Sequence, residues 1–155
     1  MKSRLEFEKI EPAAARAVWE LEKYVRSCGL DKPLLELIKI RASQINGCAF
    51  CIDMHTKDAR QAGETEQRIY ALNAWAETPF FTPPERAALA LTEAVTLIAE
   101  DGVPDEIYDE VSNHFAPEQI VKLLTAIATI NVWNRLSIAT QIVPGSYQVK
   151  TKSVA

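Results

Sequence analysis

Cys48, Cys51 and His55 lie on one short stretch, Cys48-Ala-Phe-Cys51-Ile-Asp-Met-His55. On a helix, at about 100° per residue, Cys48 and His55 fall within roughly 20° of each other around the axis, and Cys51 lies roughly 60° away. All three then share a face, with Cys51 one turn before the histidine. Cysteines three apart can close a disulfide across a first helical turn. The unpaired N–H groups and dipole of a helix N-terminus favour a thiolate there. A histidine one turn on can accept a thiol proton or stabilise the anion that results. These residue types at this spacing point to thiol–disulfide chemistry.

Glu36 is the fourth candidate. It sits in an otherwise apolar stretch, Leu34, Leu35, Leu37 and Ile38, where a buried charge needs a partner. If Asn46-Gly47 folds two successive helices into an antiparallel pair, Glu36 reflects onto a position near 57, about half a turn from His55. Its carboxylate would then fix the imidazole tautomer and raise its basicity.

Other readings of the same residues are plainer. Two cysteines can simply be small buried core residues. A zinc site needs about four ligands, and Cys28 or His114 would have to complete it, neither at a recognisable spacing. Cys28 otherwise reads as a packed helix residue and His114 as a capping or surface group. Trp19, Trp75 and Trp133 read as core or interface anchors. Asn131, Asn134 and Arg135 either line the site or make buried structural hydrogen bonds. Phe50 and Tyr70 are candidates for a pocket mouth.

The elements that position these residues are all helical. A first helix starts near Pro12 and stops at Gly29. A second is capped by Asp31, carries Pro33 in its first turn and ends at Asn46-Gly47, where both residues tolerate left-handed backbone angles. The third runs from about Cys48 to Ala62, with Gly63 as its stop. Thr65 caps a short fourth helix ending before Pro79. Thr82-Pro-Pro-Glu85 matches a capping box and opens a fifth helix that reaches about Glu100. Pro104 opens a sixth, ending near His114, and Pro117 opens a last and longest one, to about Ile142. No stretch alternates with a period of two. The expectation is an all-α bundle of six to seven helices, one domain over residues 1–149 and a mobile polar tail over 150–155.

The totals narrow the function. The chain has 155 residues, 21 acidic against 17 basic, and nearly half are apolar. Its net charge of −4 gives no electrostatic footprint for nucleic acid, and no basic amphipathic or long apolar segment suggests a membrane. The charged start lacks the apolar core of a secretory signal, so a cytoplasmic location is expected. Three cysteines there do not make a disulfide scaffold.

The pattern of a glutamate, eleven residues, Cys-x-x-Cys, three more and a histidine resembles the active site of the alkylhydroperoxidase D-like group of the carboxymuconolactone decarboxylase superfamily. Here it reads Glu36, Cys48, Cys51, His55. Arg41-Ala-Ser-Gln-Ile-Asn-Gly47 and Ile130-Asn-Val-Trp-Asn-Arg135 extend the resemblance over roughly residues 15 to 145. It implies an all-α subunit in homotrimers or homohexamers, with peroxidase or disulfide-reductase chemistry and no metal or organic cofactor. By that likeness Cys51 is the more exposed, peroxide-attacking thiol and Cys48 the resolving one. Glu36 and His55 form the proton relay, and an external dithiol, dihydrolipoyl or thioredoxin-like, restores the pair. The resemblance is incomplete at Phe50, where better-known peroxidases of the group carry a second histidine.

Two alternatives remain. A lactone decarboxylase, the superfamily's other activity, needs cations for carboxylates and has no use for a dithiol. A non-catalytic oligomeric binding protein would leave Cys51 an ordinary thiol.

Overall fold

Prolines and capping side chains set where this chain becomes helical. Pro12, Pro33, Pro83 and Pro117 all fall in first turns, where a missing N–H costs nothing and the fixed φ is already helical. Thr82 and Glu85 form the expected capping box. The computed structural model describes residues 2–149, so the tail expected at 150–155 lies outside the described residues.

Within that range the elements are α1 (Phe7–Ile10), α2 (Pro12–Ser27), α3 (Lys32–Asn46), α4 (Ala49–Gln61), α5 (Glu66–Ala71), a 3₁₀ segment (Leu72–Glu77), α6 (Pro83–Thr96), α7 (Ile98–Asp101), α8 (Asp105–His114) and α9 (Pro117–Thr140). The fold is all-α, with no strand among the described residues. Among the described residues nine α-helices stand where six to seven helices were expected. The two extra ones, α1 and α7, are single turns of four residues each. α7 is cut from α6 because Leu97 leaves helical geometry (φ −99°, ψ 26°). α9 stops two residues short of the expected end, where Gln141 turns left-handed at φ 55°.

α3 is the central element, packed against α4, α6 and α9. Its buried residues, Leu34, Leu35, Leu37, Ile38 and Ile40 among them, surround the axis rather than forming one stripe. Two apolar clusters meet along it. One joins Leu34, Leu35 and Ile38 to Leu91, Val111, Leu123 and Ile127. The other joins Leu37 and Ile40 to Ala59, Leu72 and Leu89. Each fully buried leucine or isoleucine contributes about 1.5–3 kcal/mol to holding α3 in place. Cys28 packs against the first cluster.

The α3–α4 joint is a glycine hinge. Gly47 adopts φ 69°, a left-handed angle that a residue with a Cβ takes at a cost. The N–H of Cys48 then bonds back to the carbonyl of Ser43 at 3.0 Å, and α4 starts at once. Asparagines tie this joint to α9. The Asn46 amide donates to Asn131 Oδ1 (3.0 Å) and Asn134 Oδ1 (2.9 Å), while Asn134 Nδ2 donates to Ser43 Oγ (3.0 Å). Arg135 donates to Asn131 Oδ1 at 2.7 Å. Of their two readings, the structural one describes these polar residues.

Candidate active site

The sharp α3–α4 joint brings Glu36 alongside α4. Its Oε2 lies 2.8 Å from His55 Nδ1, closer than reflection through Asn46-Gly47 suggested. His55 is buried and Glu36 half-buried. A neutral imidazole bonded this way carries its proton on Nδ1, donates it to the carboxylate and leaves Nε2 free to accept another.

Cys48 and Cys51 form a disulfide with a Cα–Cα distance of 5.4 Å. Cys48 is the N-cap of α4, and its Sγ accepts from the Cys51 N–H at 3.4 Å. The Cys48 sulfur therefore sits at the positive end of the helix, where a thiolate is stabilised. Both cysteines are only 1% exposed, so exposure does not separate them. Position does: Cys51, with His55, lines a cavity of about 550 Å³ whose wall does not include Cys48.

Both ends of the described chain contribute to the lining of that cavity. Phe7 comes from α1, Trp19 from α2, Phe50 and Met54 from α4 and Trp133 from α9. Trp19 and Trp133 meet edge to face at 5.0 Å between ring centroids, and Phe7 tilts against Trp133 at 6.2 Å. Two tryptophans expected as core or interface anchors thus form the walls of the pocket. Trp75 is an anchor, its indole N–H bonded to Glu93 at 2.6 Å. Phe50 lines the cavity as expected, whereas Tyr70 is exposed and outside it.

A charged group underlies the apolar wall. Glu22 Oε1 accepts from Lys39 Nζ at 2.7 Å and from Arg26 Nε at 2.7 Å. Lys39 and Glu22 are both buried. Burial pushes the Glu22 carboxyl up, but the Lys39 ammonium and the Arg26 guanidinium outweigh it and hold it below the usual carboxylate range. Arg26 lines the cavity. Its partial burial disfavours the charge, and Glu22, then Glu36 and Asp58, override that penalty.

Asp58 and Tyr147 complete the surroundings. Ligand-type atoms of Glu36, His55 and Asp58 all lie within 4.8 Å of one another. Tyr147, another cavity residue, donates its hydroxyl to Asp58 Oδ1 at 2.7 Å. Burial first, then the hydrogen bond to Asp58 and the charges of Asp58 and Glu36, push the Tyr147 phenol up to about 12. It is therefore a hydrogen-bond donor at any physiological pH. Asp58, Tyr147, Glu22 and Arg26 escape a reading of the sequence alone. Asp58 carried a usable signal, one turn from His55 on the same helix. Tyr147 carried none, because the return of the chain after Pro144-Gly145 is a tertiary event. Cys28 and His114 stand apart. The Cys28 thiol bonds the Val25 carbonyl at 3.1 Å, and His114 pairs with Glu110 at 3.1 Å on the surface.

Residues 12–94, more than half of the chain, match the model of the carboxymuconolactone decarboxylase family. The chain belongs to this family. The uncharacterized protein YdfG of Bacillus subtilis (strain 168) is 52% identical over 139 residues, covering 90% of this family member and 95% of YdfG. The crystal structure of ATU0492 from Agrobacterium tumefaciens is 45% identical and superposes with a TM-score of 0.91, over 94% of this chain and 100% of that one. ATU0492 is a protein of unknown function for which the role of the antioxidant defence protein AhpD has been suggested. The debrominase Bmp8, solved with 2,3,4-tribromopyrrole, shares the fold at 21% identity, with a TM-score of 0.80 over 89% of this chain and 74% of its own. This family member therefore has the AhpD-like all-α fold. Among its described residues, no helix is long and apolar enough to cross a membrane.

Proposed function

We propose that the protein is a thiol–disulfide oxidoreductase of the peroxidase type, reducing hydroperoxides or disulfides with Cys51 and Cys48. The supporting observation is the cysteine pair at the start of α4, with Cys51 and a Glu36-bound His55 on the same cavity wall.

The cycle begins with both thiols reduced. Glu36 orients His55, and Nε2 takes the proton of Cys51. The Cys51 thiolate attacks the distal oxygen of a hydroperoxide. The O–O bond breaks, Cys51 becomes a sulfenic acid, and the alkoxide leaves as an alcohol with the proton returned from His55. The Cys48 thiol attacks the Cys51 sulfur, water leaves and the disulfide closes. An external dithiol, dihydrolipoyl or thioredoxin-like, attacks Cys51 from the cavity. Cys48 departs as a thiolate held by the N-terminus of α4. The second donor thiol then releases Cys51, and the donor is left as its own disulfide. A disulfide substrate runs through the exchange steps alone, which do not require the second histidine missing at Phe50.

The volume and aromatic walls of the cavity suit an organic hydroperoxide better than hydrogen peroxide, which is too small to fill it. The same reading includes assembly as a homotrimer or homohexamer in the cytoplasm. Exposed Leu21, Tyr24, Val121 and Ile138 are apolar surface that such an assembly would use.

Steady-state consumption of cumene hydroperoxide, hydrogen peroxide and a small aromatic disulfide, with dihydrolipoamide or thioredoxin as donor, tests the proposal. Turnover that disappears in both Cys48→Ser and Cys51→Ser supports it. The absence of turnover with every pair, or full turnover in the double variant, refutes it.

A further inference from the structure

We propose that Tyr147 is a positioning residue of the proton relay: its hydroxyl, bonded to Asp58, moderates the negative charge that Asp58 presents to the Glu36–His55 pair. The inference rests on the reading of His55 as proton acceptor for Cys51.

The geometry forms a chain. Tyr147 Oη donates to Asp58 Oδ1 at 2.7 Å. Asp58 lies within 4.8 Å of both the Glu36 carboxylate and the His55 ring nitrogen, and those two are bonded at 2.8 Å. Asp58 has no bond to His55 itself, so it acts on the imidazole through its field, as a second carboxylate beside the first. At that separation in a partly buried site, a full charge is felt strongly.

The segment that brings Tyr147 here is clamped to α4. Gly145 N–H donates to Asp53 Oδ2 at 3.1 Å, Lys57 Nζ donates to the Tyr147 carbonyl at 3.1 Å, and Lys57 also pairs with Asp53 at 2.9 Å. Asp53, Lys57 and Asp58 thus hold one strap, and Tyr147 lines the same cavity as Cys51 and His55. Further charges come from Arg26 on α2, which feels both Glu36 and Asp58, from Glu36 on α3, and from Glu6, Glu8 and Lys9, which line the same cavity at the N-terminal end of the described chain. Glu22 and Lys39 neutralise each other behind Arg26. Lys57 bonds Asp53 and the Tyr147 carbonyl, while the Tyr147 hydroxyl bonds the Asp58 carboxylate.

The sign follows from the charges. Without the hydroxyl, Asp58 presents its charge undiminished, and a proton on the Cys51–His55 couple is held more tightly. Without the carboxylate, the proton is released more easily.

The test measures iodoacetamide alkylation of Cys51 in the fully reduced protein against pH, with sites assigned by mass spectrometry. Tyr147→Phe keeps the ring and is expected to move the half-maximal pH up by roughly half a unit, and Asp58→Asn to move it down by about one unit. The double variant Tyr147→Phe/Asp58→Asn is expected to match Asp58→Asn alone, because the hydroxyl then has no charge to moderate. Circular dichroism confirms folding, and if Tyr147→Phe unfolds, the sign of the Asp58→Asn shift carries the test. Unchanged midpoints, shifts of the same sign, or a double variant that adds a second shift overturn the inference. Alkylation needs no substrate, so a protein that turns over neither peroxide nor disulfide would refute the proposed activity without touching this result.

Discussion

Glu36 Oε2 and His55 Nδ1 meet at 2.8 Å across nineteen positions of sequence. Two helices and a left-handed glycine are needed to make that contact. The carboxylate fixes which ring nitrogen carries the proton in a neutral imidazole, and His55 lines the cavity. Glu36→Gln keeps the size of the side chain and removes its charge. Turnover with any peroxide or disulfide is expected to fall about 10–100-fold, and the urea midpoint to change little. Steady-state kinetics and denaturation on the same preparation measure both.

The pair of Glu22 and Lys39 carries stability. Glu22→Gln leaves the Lys39 ammonium buried without its charge partner, which is expected to cost about 3–5 kcal/mol. Glu22→Leu with Lys39→Met is expected to recover most of that loss, because neither charge is then buried alone. Urea unfolding at neutral pH distinguishes the two. The pH dependence has a definite sign. The folded Glu22 carboxyl lies below its ordinary range, so its stabilisation is complete above the unfolded value of about 4.3 and disappears as pH falls through the depressed folded value. The wild type is expected to lose stability over that acid range, and Glu22→Gln to lose less.

Helix starts were legible because proline and capping side chains act locally. Thr82 with Glu85, and Pro12, Pro33 and Pro117, mark real first turns. The Glu36–His55 contact was legible on the condition that Asn46-Gly47 reverses the chain, and a charge among leucines needed a partner. What the sequence hid was tertiary. Lys39 has the pattern of an exposed helix residue, and only the packing of α3 on several sides buries it. Trp19, Trp133 and Tyr147 reach the cavity from three segments whose arrangement no local spacing encodes. Leu97 breaks the expected fifth helix without a glycine or proline at that position.

The aromatic wall predicts substrate preference. Trp133→Ala removes a ring that packs on Trp19 and Phe7. KM for cumene hydroperoxide is expected to rise roughly tenfold, the equivalent of about 1.4 kcal/mol of lost contact. The kcat/KM for hydrogen peroxide is expected to stay close to wild type, since so small a molecule gains little from the wall. Quenching of tryptophan fluorescence by bound hydroperoxide or alcohol, reduced in Trp133→Ala, provides a second readout.

The most direct test of the dithiol cycle is a thiol count. The fully reduced protein, with three thiols, is treated anaerobically with one equivalent of cumene hydroperoxide, alkylated and mapped by mass spectrometry. Two thiols are expected to disappear together as the Cys48–Cys51 disulfide, while Cys28 remains alkylated. Three thiols surviving, or a loss at Cys28 with the other two intact, would contradict it.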